Sequence, residues 1–584
     1  TRLVSRIRSV LGVEIAVREV FEHATPAGLV RVLDGRAGLA RPALTARERP
    51  ERLPVSFAQQ RLWFLHKLEG PSPTYNIPLP LRLTGALDTA ALRAALADVV
   101  ARHESLRTVF TDTEDGACQV ILETATPELV VEEVAEEELP AALARAGAYA
   151  FDLAGEIPVR GWLFRLAETE AGAETEAGAE AEWVLVLVVH HIAADGWSLA
   201  PLARDLTRAY GARVQGRAPG WEALAVQYAD YALWQREVLG TADDAGSVLA
   251  GQLEYWRRQL ADLPEELALP VDRPRPAVAS HRGARVSFEI PAEVHGGLRQ
   301  LARAHGCSMF MLTQAALAAL LSRFGAGHDI PIGSPIAGRL DDGLTDLVGF
   351  FVNTLVLRTD LTGNPSFAEL LARVRETDLA AYAHQDVPFE QLVEALNPAR
   401  SLSRHPLFQT LLTYNSNDGS SELSVPGIQI TGAEFDVITS RVDLAFSLTE
   451  TSRDDGSVIR GSVEYSTDLF DPETVGYLVS GLENVFRQVL LNPDRPLSSI
   501  DVLSVGELER ITRDWNDSGV PVGPGSLVDW FAEQVGSAPD AAAVSDGVET
   551  LTYAELNARA NRLARVLAER GVGPDCFVGV VLPR

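Results

Sequence analysis

Two adjacent histidines, His190 and His191, end an apolar run within WVLVLVVHHIAADGWSLAPLARDL, and Asp195, Gly196 and Ser198 follow them closely. A neutral imidazole titrates near neutrality, so it can accept a proton from an attacking amine or orient that amine by hydrogen bonding. The run from Trp183 to Val189 reads as a buried strand, which delivers the pair to a turn closed by Asp195 and Gly196, with a helix from about Ser198. Side chains alternate in direction along a strand. At most one histidine can therefore face a shared substrate while its neighbour packs. Asp195 can order the turn, hold an arginine or touch substrate, and the residues alone leave these open. For a His-His pair taken by itself, two satisfied strand-end histidines are the favoured reading. A metal site is weaker still, because adjacent strand residues diverge and no third ligand stands at a recognisable spacing. Ser198 lacks the GxSxG turn of an activated nucleophile.

The elements that would hold this turn come from a chain of 584 residues, long enough for several folding units. The apolar runs are too short to cross a bilayer, and the opening TRLVSRIRSV lacks a signal peptide's apolar core, so a cytoplasmic location is expected. A formal charge of -29 argues against a nucleic-acid surface, which needs clustered basic residues. Cys118, Cys307 and Cys576 have neither a metal-binding spacing nor the density of a disulfide framework.

Three unequal parts follow along the chain. Residues 1–40 read as two amphipathic helices, about 1–11 and 25–33, joined by the apolar connector VEIAVREVFEH. RLVSRIRSVLGVEI and FEHATPAGLVRVL resemble the second half of a peptidyl carrier domain, whose cofactor-bearing serine would precede Thr1; a plain helical hairpin is the alternative. A Pro-, Arg- and Glu-rich linker spans residues 41–54. Strand-like runs such as TYNIPLPLRLTG and RVSFEI then alternate with helical ones such as TAALRAALADVVARH and MFMLTQAALAALLSRFG, an α/β pattern. Two successive ETEAGA copies, from Glu168 and Glu174, read as a solvated loop insertion. From residue 506 the chain contains LTYAELNARANRLARVLAERGV, which resembles the start of an adenylation domain, without the phosphate-binding loop or catalytic lysine that activity would need.

The company kept by the histidine motif overturns its bland reading. SFAQQRLWFL, RHESLRTVF, HHIAADGWS, YADYALWQ, IGSPIAGR, GFFVNTLVLR, HQDVPFEQLVEAL and RHPLFQTLLTYN occur in that order between Ser56 and Asn415. This array resembles the condensation-domain family of non-ribosomal peptide synthetases. The resemblance implies a chloramphenicol acetyltransferase-like α/β fold, two lobes in a V with the active site in a tunnel between them, here residues 55–218 and 219–505. It implies that His191 faces the reaction centre and His190 supports the strand. Asp195 would pair with Arg339, and Gly196 would let backbone approach the thioester. Arg61, Ser198 and Asn353 are carried over as tunnel residues, with a lobe-bridging ion pair an equal reading for Arg61. Trp63, Trp197, Tyr228 and Trp234 read as packing aromatics.

The implied reaction is peptide-bond formation between two partner carrier domains, upstream and downstream, with the acceptor's α-amine attacking the donor thioester. No metal or directly bound cofactor is expected on this chain. Phosphopantetheine arms on the carriers bring the substrates. Whether His191 removes a proton or mainly positions the amine stays open at this point. An epimerisation domain of the same fold would not be expected before an adenylation domain, and a cyclising relative would carry Asp in place of His190. A catalytically silent docking platform usually loses the motif that is intact here. Because the carrier segment runs directly into the linker and the chain has one His-His pair, the expected donor is L-configured or glycine.

Overall fold

The computed structural model describes residues 2–34, 41–114, 116–167, 182–399, 401–416, 425, 427–433, 439–453 and 456–582; both ETEAGA copies lie outside these. Two compact units divide the chain, Thr1–Ser504 and Val505–Arg584.

The apolar run before the histidines forms the strand Glu182–His190, and Val184 to Val189 are at most 2% exposed. Burial on both faces explains why this strand is apolar throughout instead of alternating. It is the centre of a five-stranded sheet, antiparallel to Asn76–Gly85 on one side and to Val159–Leu166 on the other. Helices Thr89–Arg102 and Leu199–Val214 pack through Leu92, Leu96, Val99, Leu202 and Leu206, all in this lobe's core. Asp88 caps the first of them, accepting from the backbone N–H of Ala90 and Ala91 at 2.9 Å.

The second lobe is a six-stranded sheet in the order Asn353–Asp360, Asp329–Ile336, Thr410–Ser416, Leu444–Arg453, Gly456–Ser466 and Gly283–Ile290. Met309–Leu321 is its core helix, with every residue from Met311 to Leu321 buried, which accounts for the all-round apolar character of that segment. The lobes are not separate in sequence. Strand Ile428–Gly432, carried by the second lobe's stretch of chain, pairs antiparallel with Asn76–Gly85 and completes the first lobe's sheet. At the end of that pairing Gly85 has φ 131°, and a Cβ there would lie 2.2 Å from the Gly427 carbonyl oxygen, so only glycine fits.

One expectation needs correction and another gains detail. The apolar connector near the start contains a third helix, Val17–Glu22, whose first turn is closed by Glu19 accepting from Ala16 N at 2.9 Å. Val17 and Phe21 pack against the second lobe's core, and Arg18 pairs with Glu376 at 2.7 Å. The stretch 41–54, read as a linker from its composition, is tied down as a strap. Arg41 holds Asp386 through both guanidinium nitrogens at 2.9 and 2.7 Å, Trp234 donates to Pro42 O at 2.6 Å, and Leu53–Pro54 pairs as a strand with Gln119 and Cys118.

The second unit has helices Leu527–Ser537 and Tyr553–Glu569 and the hairpin Ala542–Ser545/Thr550–Thr552. Neither helix has a buried residue, although Leu527 and Val528 are apolar and exposed.

Candidate active site

The turn after the central strand is built around one carboxylate. Asp195 is fully buried, and its Oδ1 accepts from Ser198 N at 2.9 Å and lies 2.8 Å from Ser198 Oγ. Its Oδ2 accepts from the backbone N–H of Phe351 and Val352, at 2.9 and 3.1 Å. Arg339 reaches the same carboxylate at 3.4 Å and Ser198 Oγ at 2.8 Å, while donating to the carbonyls of Leu344 and Leu347. The expected Asp195–Arg339 pair is therefore present, and the shorter bonds of Asp195 run to the second lobe's backbone. Burial lowers the Arg339 pKa, with Asp195 opposing that shift, and the guanidinium lies 4.3 Å from the Phe351 ring centroid.

Other motifs reach the same strip of backbone. Ser105 Oγ donates to Val348 O at 2.8 Å, Ser198 Oγ accepts from Gly349 N at 3.1 Å, and Tyr228 OH donates to Phe350 O at 2.8 Å. A Cβ at Gly349 would stand 2.3 Å from the Tyr228 ring, so this approach of strip to helix requires glycine. Buried His103 bonds Asp205 on helix Leu199–Val214 at 2.9 Å and tightens the helix that follows the turn. Residues 348–352 are thus the seam on which the signatures of both lobes converge.

His190 ends the strand and His191 opens the turn after it, and the two rings have different neighbours. His190 is 5% exposed, with Nδ1 accepting from Ile192 N at 3.1 Å and its ring among Tyr75 and Phe151. His191 is half-buried, its ring edge-on to Phe350 at 4.7 Å between centroids. Its Nδ1 is enclosed without a hydrogen-bond partner among the described residues. Burial pushes both rings down to about 3, with Arg441 adding to the effect in each case, so both are neutral at pH 7.

His191 lines two cavities. One, of about 1030 Å³, is also walled by Asn76, Gly196, Arg285 and Arg441. The other, of about 520 Å³, is walled by Arg61, Tyr75, Phe350, Asn353, Glu390 and Arg441. A third void of about 960 Å³ shares Arg61 and Glu390 with the second and is lined by Phe64, Leu65 and Val393. Gly196 borders the first cavity, and a Cβ there would meet nothing within 4 Å.

Arg61 and Glu390 form an ion pair across the lobes at 3.3 Å, and both border the smaller cavity. Both sequence readings of Arg61, tunnel residue and lobe bridge, describe this position. Asn353 lines the cleft, but its amide is occupied: Nδ2 donates to Gln385 O and Val387 O at 3.0 and 2.7 Å, and Oδ1 accepts from Phe389 N at 2.9 Å. Ser198 corrects the expectation of a tunnel residue. It is fully buried, borders neither cavity, and is spent on Asp195, Arg339 and Gly349. Sequence reasoning missed Arg441, which stands in no spacing that announces a site, and gave no role to Glu390 within HQDVPFEQLVEAL. Among the described residues no group of three or more His, Cys, Asp or Glu side chains is arranged to hold a metal ion.

Comparison with known proteins adds the following. The family model described as "Condensation domain" matches residues 50–512, and that of the "AMP-binding enzyme" family matches residues 531–584. The chain is 54% identical over 590 residues to a Salinispora arenicola protein named as an unconventional nonribosomal peptide synthetase, covering 100% of the chain and 7% of that protein. It is 50% identical over 587 residues to a dimodular nonribosomal peptide synthase of Bacillus subtilis, covering 100% of the chain and 24% of that protein. The chain thus spans less than a quarter of the length of these two relatives. Among solved structures, the X-domain in its complex with OxyB from teicoplanin biosynthesis superposes with a TM-score of 0.73 at 39% identity, covering 80% of the chain and 100% of the X-domain chain. The two open α/β sheets are those of the chloramphenicol acetyltransferase-like fold.

Proposed function

Because the chain belongs to the condensation-domain family of nonribosomal peptide synthetases, whose members form amide bonds by acyl transfer, we propose that it joins two carrier-bound substrates at His191. A donor thioester enters from one cavity and an aminoacyl thioester from the other. The observation that carries this reading is that His191 is a wall of both cavities, so a junction reached from two sides lies at one imidazole. The amine nitrogen forms a bond to the donor carbonyl carbon while the carbon–sulfur bond breaks. The surplus amine proton leaves with sulfur as the free thiol of the upstream arm. The lengthened chain remains on the downstream carrier.

An imidazole held at about 3 is a weak base toward an α-amine, whose conjugate acid titrates near 8. This favours positioning over proton removal, with His191 accepting a hydrogen bond that aims the amine at the carbonyl. Gly196 leaves room on the cavity wall for the thioester, and Asp195, Arg339, His190, Ser198 and Asn353 hold the frame. The phosphopantetheine arms belong to the partner carriers. Residues 1–40 are proposed as part of a carrier domain, residues 41–54 as the strap joining it to the condensation domain, and the setting as cytoplasmic. The donor's terminal residue is proposed to be L or glycine, because no epimerisation domain stands between the carrier segment and the strap and His190–His191 is the one His-His pair in the chain.

The test offers matched L and D donor thioesters with one aminoacyl acceptor and follows the amide product by mass. Product from the L donor that is lost in His191→Ala supports the reading; faster product from the D donor sinks the stereochemical part. A second reading rests on the likeness to the X-domain, a domain solved in complex with another protein. In that case wild type and His191→Ala would be equally without condensation product, and the domain's task would be to bind a partner.

A further inference from the structure

Arg441 stands where the two cavities meet, bordering both together with His191. Its Nε and Nη2 donate to Thr74 O at 3.2 and 2.8 Å, and its guanidinium lies 4.8 Å from the Tyr75 ring centroid. These contacts fix the cation in place without neutralising it. Other charges facing the junction are paired. Arg61 is matched by Glu390, Arg275 by Asp443 in a bidentate pair, and Arg285 by Glu464 at 2.6 Å. Asp468 faces Arg282 at 3.7 Å and accepts from Ser280 N and Oγ, both at 2.8 Å, and Arg404 is matched by Glu265 and Glu266 at 3.0 and 3.4 Å. His405 is pushed down to about 3 by burial, His281 rests on Ser440 O, and Glu69, like Arg441 itself, is exposed to solvent but borders only the smaller cavity. Among the described residues no carboxylate lies within salt-bridge distance of Arg441. Arg441 is therefore the cation bordering both cavities that no carboxylate among the described residues neutralises, and its side chain is itself exposed to solvent.

Resting on the condensation reading above, we propose that Arg441 keeps the acceptor's α-amine in its neutral, nucleophilic form at His191. A fixed cation disfavours a second positive charge nearby even where solvent screens part of the interaction, so the ammonium form gives its proton to bulk water before attack. The neutral nitrogen then presents its lone pair to the donor carbonyl. The same charge contributes to keeping His191 neutral, consistent with its reach into the site. This gives the domain its reactive nucleophile without a strong base. A guanidinium several ångströms from the amine lowers the pH at which that amine sheds its proton by on the order of one unit.

The test is a pH profile of condensation between pantetheine-linked aminoacyl thioesters, from pH 6 to 9.5 with saturating substrates. In the wild-type chain the rate should rise with pH along an acid limb centred about one unit below the solution titration of the same free acceptor amine. Arg441→Gln, whose amide can still donate to Thr74 O, should move the limb up by about one unit, slow the reaction several-fold at pH 7 and approach wild type at pH 9.5. Arg441→Lys should leave the limb in place. A trifluoroalanyl acceptor, whose amine is neutral at pH 7, should erase the pH 7 defect of Arg441→Gln. A wild-type limb at or above the free amine's titration overturns the proposal even if the variants do not fold, as does a loss in Arg441→Gln that is uniform with pH. A wild-type chain that forms no amide at any pH would instead refute the condensation reading and take this role with it.

Discussion

Replacing Asp195 with alanine removes the acceptor for two backbone donors from the opposite lobe, Phe351 N and Val352 N, and for Ser198 N. It also takes the opposing charge from Arg339, which keeps Leu344 O, Leu347 O and Ser198 Oγ. An orphaned buried donor costs about 1–3 kcal/mol, and unpairing a buried charge about 3–5 kcal/mol when nothing else compensates. Because Arg339 keeps its other partners, a loss of about 4 kcal/mol is expected. Unfolding entropy near 2.1 cal/mol/K per residue over roughly 450 residues gives ~0.9 kcal/mol/K, so the melting temperature should fall by about 4 °C. Asp195→Asn should lose a comparable amount, since its carboxamide has one acceptor oxygen for donors on both sides and turns an NH2 toward one set of them. The assay is thermal unfolding alongside condensation measured well below the transition. Abolished activity with a melting temperature within about 1 °C of wild type would refute this account and put Asp195 in the chemistry.

His191→Ala should lower condensation at least ~100-fold while leaving the melting temperature nearly unchanged, because the half-buried ring makes an edge contact to Phe350 and leaves Nδ1 without a partner; activity within a few-fold of wild type would contradict it. Stability should fall as pH drops from about 6.5 toward 3. The folded-state values of His190, His191 and His405 are depressed to about 3, so the unfolded chain binds protons that the folded chain refuses. His190→Asn should flatten this dependence, and a variant with the wild-type slope would show that His190 does not contribute to it.

The strand, turn and helix around the histidine pair were legible because their signals are local: an unbroken apolar run, Asp and Gly in a turn, and a helical period after Ser198. Alternation also predicts separate surroundings for the two rings, and their neighbours do differ, with His191 lying just past the strand end. What could not be read were contacts between residues far apart in the chain. Arg41 looks like linker composition until Asp386 is found beside it, and Ile428–Gly432 gives no hint that it pairs with Asn76–Gly85. The six-residue helix Val17–Glu22 is too short for periodicity to declare it. Ser198 and Asn353 were read toward substrate by resemblance, whereas their polar groups are consumed by neighbouring backbone and side chains. Arg441 sits in TSRVD, where nothing marks one arginine among so many.

These misplacements have a common physical cause. In a site formed between two lobes, the groups that define the cleft must also hold its walls together, because every buried donor and acceptor along the seam needs a partner. Asp195, Ser198, Ser105 and Tyr228 all spend hydrogen bonds on the strip 348–352, and Asn353 spends its own on the segment before Phe389. A substitution at any of these positions loosens the attachment of one lobe to the other as well as the cavity beside it. Loss of activity there cannot by itself identify a residue that touches substrate. His191 differs in kind, since its ring contributes an aromatic edge to the seam and its Nδ1 has no hydrogen-bond partner among the described residues, yet it borders both cavities. This is why the proposed chemistry is assigned to His191, and why its loss should cost activity more than stability.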